Sequence, residues 1–450
     1  MNEYVLDVYL EQFDKPVGKL VGYEDYTLHF SYDPAYTELE DALPLSLRMP
    51  LSQLEYTDFA CRAFFQNLLL EGRRLDQVAD REGLDRDNVA GLLAHLGQEC
   101  PGAISIVPEG SPPGKRPGII PEDYREIDAE ELAAEVRAMH DGKPPRQNRR
   151  ISLAGVQDKL AITVGEDGRL YESADSVGAP TTHVLKVGDP DYHGLVENEY
   201  ICLKLARRLG LDAVHATIDY AEEVPYLLLE RFDRYRDTNG YIHRFHQEDT
   251  CQALGLPGTL KYEDQGHGER RATLEGIFDV FGETAAPIEA RQAMIAMTVF
   301  NYLIANFDAH AKNFALLYQG RRPHLAPFYD IVSTGVYPDT SQSFALSIGG
   351  KQNYDAIGAY EWERFLTDIG VQTNGAQKRV LQHTMKPLAE RVLPELDRLL
   401  EEEGLEHRGR RIRNIVGAGV RNFNDAFGWD VPADTDAPVV TPPGWRMSSN

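Results

Sequence analysis

Residues 306–318 read NFDAHAKNFALLY. The segment overlaps the end of AMIAMTVFNYLIANF (residues 293–307), which is apolar nearly all round, as expected of a helix buried in the middle of a domain. Four polar side chains, Asp308, His310, Lys312 and Asn313, then follow within six positions, and FALLY (314–318) predicts a strand. A polar cluster between a buried helix and a strand needs a physical explanation.

Asp308 and Asn313 have the spacing D-x-x-x-x-N. Transfer of phosphate from ATP to a hydroxyl requires a carboxylate that orients the acceptor and a nearby amide oxygen that holds Mg²⁺, and this is the spacing of the kinase catalytic loop. The alternative is that Asp308 caps a helix while His310 and Lys312 are solvated loop residues. Because the motif is short and common by chance, the segment alone does not decide between the two.

Downstream, HLAPFYDIVS (residues 324–333) is a second apolar run that presents one carboxylate, Asp330. We expect it to form a strand beside FALLY and to place Asp330 next to Asn313. In a kinase this is the position in chain order of the second metal-binding carboxylate. The alternative is an aspartate that ends a strand at a turn.

Upstream, THVLKV (residues 182–187) places Lys186 on a predicted strand, and the next predicted helix, from about residue 195 to 209, offers Glu197 and Glu199. A kinase needs a lysine on the α- and β-phosphates that is held by a helix carboxylate. A solvated lysine on an edge strand is the alternative. PYLLLERFDR (225–234) suits a hinge that meets adenine with Phe232 nearby, or else an ordinary strand leaving the core.

Two further segments give weaker signals. RISLAGVQDK (residues 150–159) has a single glycine, Gly155, and no G-x-G-x-x-G, so it is either a phosphate-covering loop with help from Lys159 or a structural loop. In HQEDTCQALGLP (246–257), Gln247 and Glu248 either face the cleft or cap a helix. Strand lysine, apolar hinge, D-x-x-x-x-N and the later aspartate nevertheless occur in kinase order, so the joint pattern predicts a phosphotransferase.

Composition restricts the function further. The 450 residues carry a formal charge of −25, which opposes direct contact with nucleic acid. The four cysteines have no metal-ligand or disulfide-framework spacing, which indicates reduced thiols in a cytoplasmic protein. No apolar stretch is long enough to span a bilayer, so we expect no membrane association.

Pattern and composition predict an α+β protein. We expect an N-terminal unit of a small sheet plus helices (1–110), a Pro- and Gly-rich linker with one short helix at 129–140 (111–148), a lobe with phosphate loop, strand lysine and hinge (149–255), a mostly helical lobe with the catalytic loop (256–428) and a flexible tail (429–450).

The chain resembles the HipA family of bacterial toxin kinases. The matching stretches are RISLAGVQDKLAI, THVLKV, ENEYICLKLARRLGL, LLLERFDR, HQEDTCQALGLP, NFDAHAKNFAL and PFYDIVS, preceded by PLSLRMPL, FFQNLLLEG and LLAHLGQECPGAISIVPEG. They are ordered along the chain to about residue 425. The resemblance implies a serine/threonine protein kinase with an atypical two-lobed fold, distantly akin to phosphoinositide kinases, behind an N-terminal subdomain.

Carried onto the matching positions, the resemblance implies that Asp308 is the catalytic base and that Asn313 and Asp330 bind Mg²⁺. Lys186 would contact ATP phosphate with support from Glu199 and Gln247. Ser152 matches the inhibitory autophosphorylation site. The remaining ATP contacts would come from Ala154, Gly155, Val156, Gln157, Asp158, Lys159, Glu230, Arg231, Phe232, His310, Ala311, Lys312 and Tyr329.

The resemblance also implies partners. Family members pair with HipB, a helix-turn-helix antitoxin that binds operator DNA, so DNA contact would come through that complex, in keeping with the acidic composition here. The implied substrate is an aminoacyl-tRNA synthetase. Two alternatives stay open: a degenerate kinase that inhibits by binding alone, and a kinase of a small molecule or lipid.

Overall fold

The computed structural model describes residues 2–143, 159–174, 178–188 and 192–433. Its N-terminal unit is an antiparallel sheet in the order β4-β3-β2-β1-β5, with alternating burial along β2 and β3 that gives the sheet one buried face. Helices α2 and α4 pack against this sheet. The bounds are β1 Asn2–Leu10, β2 Gly18–Tyr23, β3 Leu28–Tyr32, α1 Pro34–Thr37, β4 Glu55–Tyr56, α2 Asp58–Phe65, α3 Gly72–Glu82, α4 Val89–Leu96 and β5 Ile104–Pro108.

A second sheet, in the order β10-β11-β9-β7-β8-β6, forms the next lobe. Its strands lie between helices, because Leu227 and Leu229 pack in the core that contains α6, whereas Tyr226 and Leu228 pack in the core that contains α5. The bounds are β6 Tyr124–Glu126, α5 Ala129–His140, β7 Lys159–Val164, β8 Leu170–Ser173, β9 His183–Val187, α6 Leu195–Arg208, β10 Ala216–Ala221, β11 Val224–Glu230, β12 Arg234–Arg236 and β13 Ile242–Arg244.

The third lobe is mostly helical and is built around α9, whose residues from Met297 to Leu303 are all buried. Its core is continuous with that of α6, which packs against α12 and α13. The bounds are β14 His246–Asp249, α7 Thr250–Leu254, α8 Leu274–Gly282, α9 Pro287–Leu303, β15 Ala315–Tyr318, β16 His324–Leu325, β17 Ser343–Ile348, β18 Lys351–Asn353, α10 Ala359–Asp368, α11 Asn374–Val380, α12 Lys386–Glu403 and α13 Glu406–Phe427. A π-helical turn, Leu381–Met385, joins α11 to α12.

The predicted linker is more than a connection. Strand β6 pairs with β8 at the edge of the second sheet, and α5 packs on β9, β10 and β11. Residues 124–140 therefore belong to the second lobe. Sequence alone missed this because the Pro- and Gly-rich flanks hide a three-residue strand.

The C-terminal boundary was also wrong. Trp429 stacks on Phe427 at 4.8 Å between ring centroids, and the backbone of Val431 exchanges hydrogen bonds with the side chain of Asn424. The chain is thus packed against α13 as far as residue 431, and residues 434–450 lie outside the described residues. Helix α4 begins at Val89, and Asn88 caps it by accepting from the Gly91 N–H.

The N-terminal unit is joined to the two lobes that follow it through buried polar contacts. Glu248 does not face the cleft: its Oε1 accepts from the Leu47 N–H at 2.9 Å and from the Tyr318 hydroxyl at 2.5 Å. Burial raises the pKa of Glu248 to about 7. Arg244 and Glu11 add a buried ion pair, with 2.5 Å between Nη1 and Oε2. The N-terminal unit is therefore fixed to the lobe that carries β14.

The four cysteines are all buried and none forms a disulfide. Among the described residues, no helix has both the length and the apolar character that crossing a membrane requires.

Candidate functional site

Lys186 stands between two carboxylates. Its Nζ lies 2.7 Å from Oε1 of Glu199 on α6 and 2.8 Å from Oδ1 of Asp330. The lysine and Glu199 side chains are 8% and 2% exposed, whereas Asp330 is 44% exposed, so the group opens to solvent at Asp330. Burial alone would lower the pKa of Lys186, but the two carboxylates outweigh it and raise that pKa. The pKa of Asp330 is lowered, chiefly by the charge of Lys186.

Asp330 is not on a strand, contrary to the prediction. Strand β16 covers only His324–Leu325, and Phe328 is held by an isolated parallel bridge to Ala213. Asp330 itself has a φ of +57°, in the left-handed region that residues other than glycine, asparagine and aspartate rarely adopt. Residues kept in this region cluster at functional sites, where the surrounding structure holds them.

Lys159 adds a second cation on the same sheet. It faces Lys186 across the β7–β9 pair, and the charges of Glu199 and Asp330 act to raise its pKa. Burial, together with the positive charge of Lys186, lowers the pKa of Lys159 to about 8. The two lysines therefore form a basic pair that a polyphosphate would stabilise.

The loop after α9 is closed on itself by hydrogen bonds. The carbonyl oxygen of Asp308 accepts from the His310 N–H at 2.8 Å and from Nδ2 of Asn313 at 3.0 Å. Asn306 Oδ1 accepts from the Asp308 N–H at 3.2 Å. Helix α9 ends at Leu303, so Asp308 does not cap it, and the Asp308 side chain is exposed.

His310 links the loop to Asp330. Burial lowers the pKa of His310, and the carboxylates of both Asp308 and Asp330 oppose that effect. The two carboxylates therefore lie within electrostatic range of one imidazole. Within the part of the chain that the structure describes, Nδ1 of this buried ring has no hydrogen-bond partner.

Asp330 and Asn313 each carry an oxygen of the kind that binds Mg²⁺. Lys186 occupies Oδ1 of Asp330, which leaves Oδ2, and Asn313 donates through Nδ2, which leaves its amide oxygen. Among the described residues no group of three His, Cys, Asp or Glu side chains forms a self-sufficient metal site. Mg²⁺ bound with a nucleotide needs none, because it uses one or two carboxylates plus phosphate oxygens and water.

The predicted hinge lies beside this site. Phe232 stacks on Tyr329 with 5.4 Å between centroids, and the Tyr329 hydroxyl donates to the Lys312 carbonyl at 2.7 Å. The Arg231 guanidinium is buried against Asp233, and the Arg231 N–H donates to the Thr182 carbonyl at 2.9 Å. Gln247 Nε2 donates to the same Asp233 at 3.2 Å, whereas Glu230 is exposed.

Lys312 has a different environment from the predicted nucleotide contact. Its Nζ lies 3.1 Å from Asp249, 3.3 Å from Glu71 and 2.9 Å from Asn67 Oδ1, and its side chain is 6% exposed. The ammonium is thus neutralised by groups from α7's N-cap and from the N-terminal unit. These partners lie far away in sequence, so no local pattern could have revealed them.

Other predicted positions divide into two groups. Ala311 is buried in the loop, where its N–H donates to the Lys261 carbonyl at 3.1 Å. Ser152 lies outside the described residues, and so does the predicted phosphate loop from Ala154 to Lys159 except for Lys159 itself. The structure also brings Tyr262 to the site, which sequence reasoning missed because no motif surrounds it: its hydroxyl donates to Asp308 Oδ1 at 2.7 Å.

Two family models and two curated relatives match this chain. The family model "HipA-like C-terminal domain" matches residues 151–394, and "HipA N-terminal domain" matches residues 6–107. A putative kinase of Sinorhizobium fredii, Y4mE, is 34% identical over 81% of this chain and 86% of its own length. The serine/threonine-protein kinase toxin HipA of Shewanella oneidensis is 31% identical over 83% of this chain and 86% of its own length.

A solved structure is similar over nearly the whole chain. It is the complex of HipA, HipB and operator DNA from the toxin–antitoxin system of Shewanella oneidensis. The TM-score is 0.77 at 26% identity, and the match covers 95% of this chain and 100% of the other.

Proposed function

The chain belongs to the HipA family of protein kinases, and we propose that it transfers the γ-phosphoryl group of ATP to a serine or threonine hydroxyl of another protein. The observation that carries the proposal is the position of Lys186 between Glu199 and Asp330. A kinase needs this combination of strand lysine, helix carboxylate and metal-binding carboxylate to hold the phosphates of ATP.

In this proposal each side chain has one task. Lys186 and Lys159 would bind the phosphates, with Glu199 orienting Lys186. Asp330 and Asn313 would hold Mg²⁺, which when bound would supply positive charge to the phosphoryl oxygens. Asp308 orients the acceptor hydroxyl and takes its proton while that oxygen bonds to the γ-phosphorus. The bond from the γ-phosphorus to the β,γ-bridging oxygen breaks, and ADP leaves.

We further propose that the protein is a cytoplasmic toxin silenced by phosphorylation of Ser152. A phosphoserine carries a charge of about −1.5 to −2 at pH 7, and beside a phosphate-binding loop it would repel the nucleotide. Because the relative of known structure was solved with HipB and operator DNA, we propose a HipB-like antitoxin as partner. The charge of −25 supports DNA contact through that antitoxin, and an aminoacyl-tRNA synthetase is the proposed substrate.

Two assays test this function. Purified protein incubated with γ-labelled ATP and Mg²⁺ should label itself or an added synthetase, and Asp308→Asn should not. Induced expression should arrest growth, and Asp308→Asn should abolish the arrest. Binding of ATP without any transfer would favour a degenerate kinase that acts by binding alone. If the label appeared on a lipid or a small molecule and growth were unaffected, the acceptor would be that molecule and not a protein.

The lowered pKa of Lys159 predicts a pH-dependent nucleotide affinity. With a pKa of about 8 in the free protein, Lys159 loses its proton as pH rises, and a bound polyphosphate must restore it. The dissociation constant for Mg²⁺-ADP should therefore increase above pH 8, by at most roughly tenfold per pH unit. Titration calorimetry from pH 7 to 9.5 measures it. Lys159→Arg, which stays charged, should remove most of the dependence; the same pH dependence in that variant would count against Lys159.

A further inference from the structure

Tyr262 contacts the proposed catalytic base directly. It lies between two short 3₁₀ turns, Gly258–Leu260 and Glu263–Gln265, and its hydroxyl donates to Asp308 Oδ1 at 2.7 Å. Its ring packs against His310 in a T-shaped arrangement, with 5.1 Å between centroids and an interplanar angle of 86°. Burial and the adjacent Asp308 charge raise the pKa of Tyr262, so the phenol remains a hydrogen-bond donor.

The two residues that flank Tyr262, Lys261 and Glu263, are held by contacts with three other segments of the chain. The Lys261 carbonyl accepts from the Ala311 N–H of the catalytic loop at 3.1 Å, and Lys261 Nζ pairs with Glu71 of the N-terminal unit at 2.7 Å. On the other side, Glu263 accepts from the Ser347 N–H at 2.6 Å and from its hydroxyl at 3.0 Å. A residue fixed in this way defines a position and is poorly suited to swing aside as a gate.

We infer that Tyr262 is a positioning residue for phosphoryl transfer, which fixes the Asp308 carboxylate through Oδ1 and leaves Oδ2 for the acceptor hydroxyl. The inference rests on the proposed function of Asp308. An exposed aspartate samples several rotamers, and a donor held at 2.7 Å selects one of them. Because Glu71 holds Lys261, the N-terminal unit helps to set the geometry of the base.

A Tyr262→Phe variant tests the inference, since it removes the hydroxyl and keeps the ring against His310. Self-phosphorylation with γ-labelled ATP, and ATP hydrolysis with water as the acceptor, give a maximal rate and a half-saturating ATP concentration. We expect the maximal rate to fall roughly 10- to 100-fold, because misplaced catalytic groups cost about that much. Half-saturation by ATP and the melting temperature should stay unchanged.

Tyr171→Phe is the matched control. It also removes a hydrogen bond from a phenol to a carboxylate, from Tyr171 to Asp167 Oδ2 at 3.2 Å, but where β8 pairs with β7 in the second lobe. Its kinetics should equal those of the wild type. An equal slowing in both variants would assign the effect to general loosening of the fold and overturn the inference.

Asp308→Asn separates the inference from the function on which it rests. If the wild type transfers phosphate, Asp308→Asn does not, and Tyr262→Phe stays within twofold of wild type or becomes faster, the positioning role is refuted while the kinase assignment stands. A raised half-saturating ATP concentration at an intact maximal rate would also refute it, because it places Tyr262 on the nucleotide side. If the wild type transfers nothing in either assay, the proposed function fails and takes this inference with it.

Discussion

An Asp330→Asn variant should keep its fold and lose phosphoryl transfer by at least roughly a thousandfold, as expected when a metal ligand and a transition-state charge are removed together. The amide keeps one oxygen but loses the charge that attracts Mg²⁺. It also removes the negative partner that, together with Glu199, raises the pKa of Lys186. Nucleotide affinity in the presence of Mg²⁺ should therefore fall as well.

Three features of the site indicate that the Asp330→Asn protein will fold. Lys186 keeps Glu199 at 2.7 Å, so the remaining buried pair is still neutral overall. Asparagine tolerates the left-handed backbone at φ +57 better than most residues, and the 44% exposed side chain contributes little core volume. Unfolding by urea should show a loss of at most about 1 kcal/mol.

The measurements for Asp330→Asn are labelled phosphate transfer and calorimetric binding of Mg²⁺-ADP. Asp308→Asn should lose transfer and retain nucleotide affinity, whereas Asp330→Asn should lose both. Asp368→Asn is the control for an exposed carboxylate, since Asp368 pairs only loosely with Arg364, at 3.7 Å on the surface of α10. An Asp330→Asn protein that transfers phosphate at the control's rate would remove Asp330 from the site.

What the sequence predicted correctly depends on local pattern and chain order. Lys186 lies on a predicted strand and Glu199 on the predicted helix that follows, and the structure joins them, because strand and helix periodicity place both residues on inward faces. The fold class and the family follow from many ordered motifs, and the comparisons confirm both. The assigned roles of the site residues remain predictions.

What the sequence did not predict depends on contacts between distant segments. Tyr262 and Asp308 are separated by 46 positions, and Lys312 and Asn67 by 245. The left-handed backbone of Asp330 was also unpredictable, since tertiary contacts such as the Lys186 hydrogen bond hold it, and the apolar run around it suggests a strand instead. Patterns along the chain report periodicity, and they do not report which distant charges become partners.

Lys312 gives the largest expected effect on stability. The Lys312 ammonium lies 3.3 Å from Glu71 and 3.1 Å from Asp249, and methionine removes this charge. The Glu71 side chain is 22% exposed and the Asp249 side chain 14%, so water compensates for the loss only in part. Loss of one partner of a buried ion pair costs about 3–5 kcal/mol, because the other partner remains as an uncompensated charge. Lys261 still pairs with Glu71, so most of the cost should arise at Asp249.

Urea unfolding of Lys312→Met should therefore show that the free energy of unfolding falls by about 3 kcal/mol or more. The N-terminal unit and the loop that follows α9 should lose protection from hydrogen exchange together. Lys386→Met is the control, because its exposed pair with Glu390 at 3.7 Å contributes at most about 0.5 kcal/mol. The folded fraction of Lys312→Met should bind Mg²⁺-ADP as tightly as the wild type, since the ammonium is held by protein carboxylates. If Lys312→Met were as stable as Lys386→Met and bound Mg²⁺-ADP tenfold more weakly than the wild type, Lys312 would be assigned to the nucleotide site. Lys312 would then not join the N-terminal unit to the loop through an ion pair.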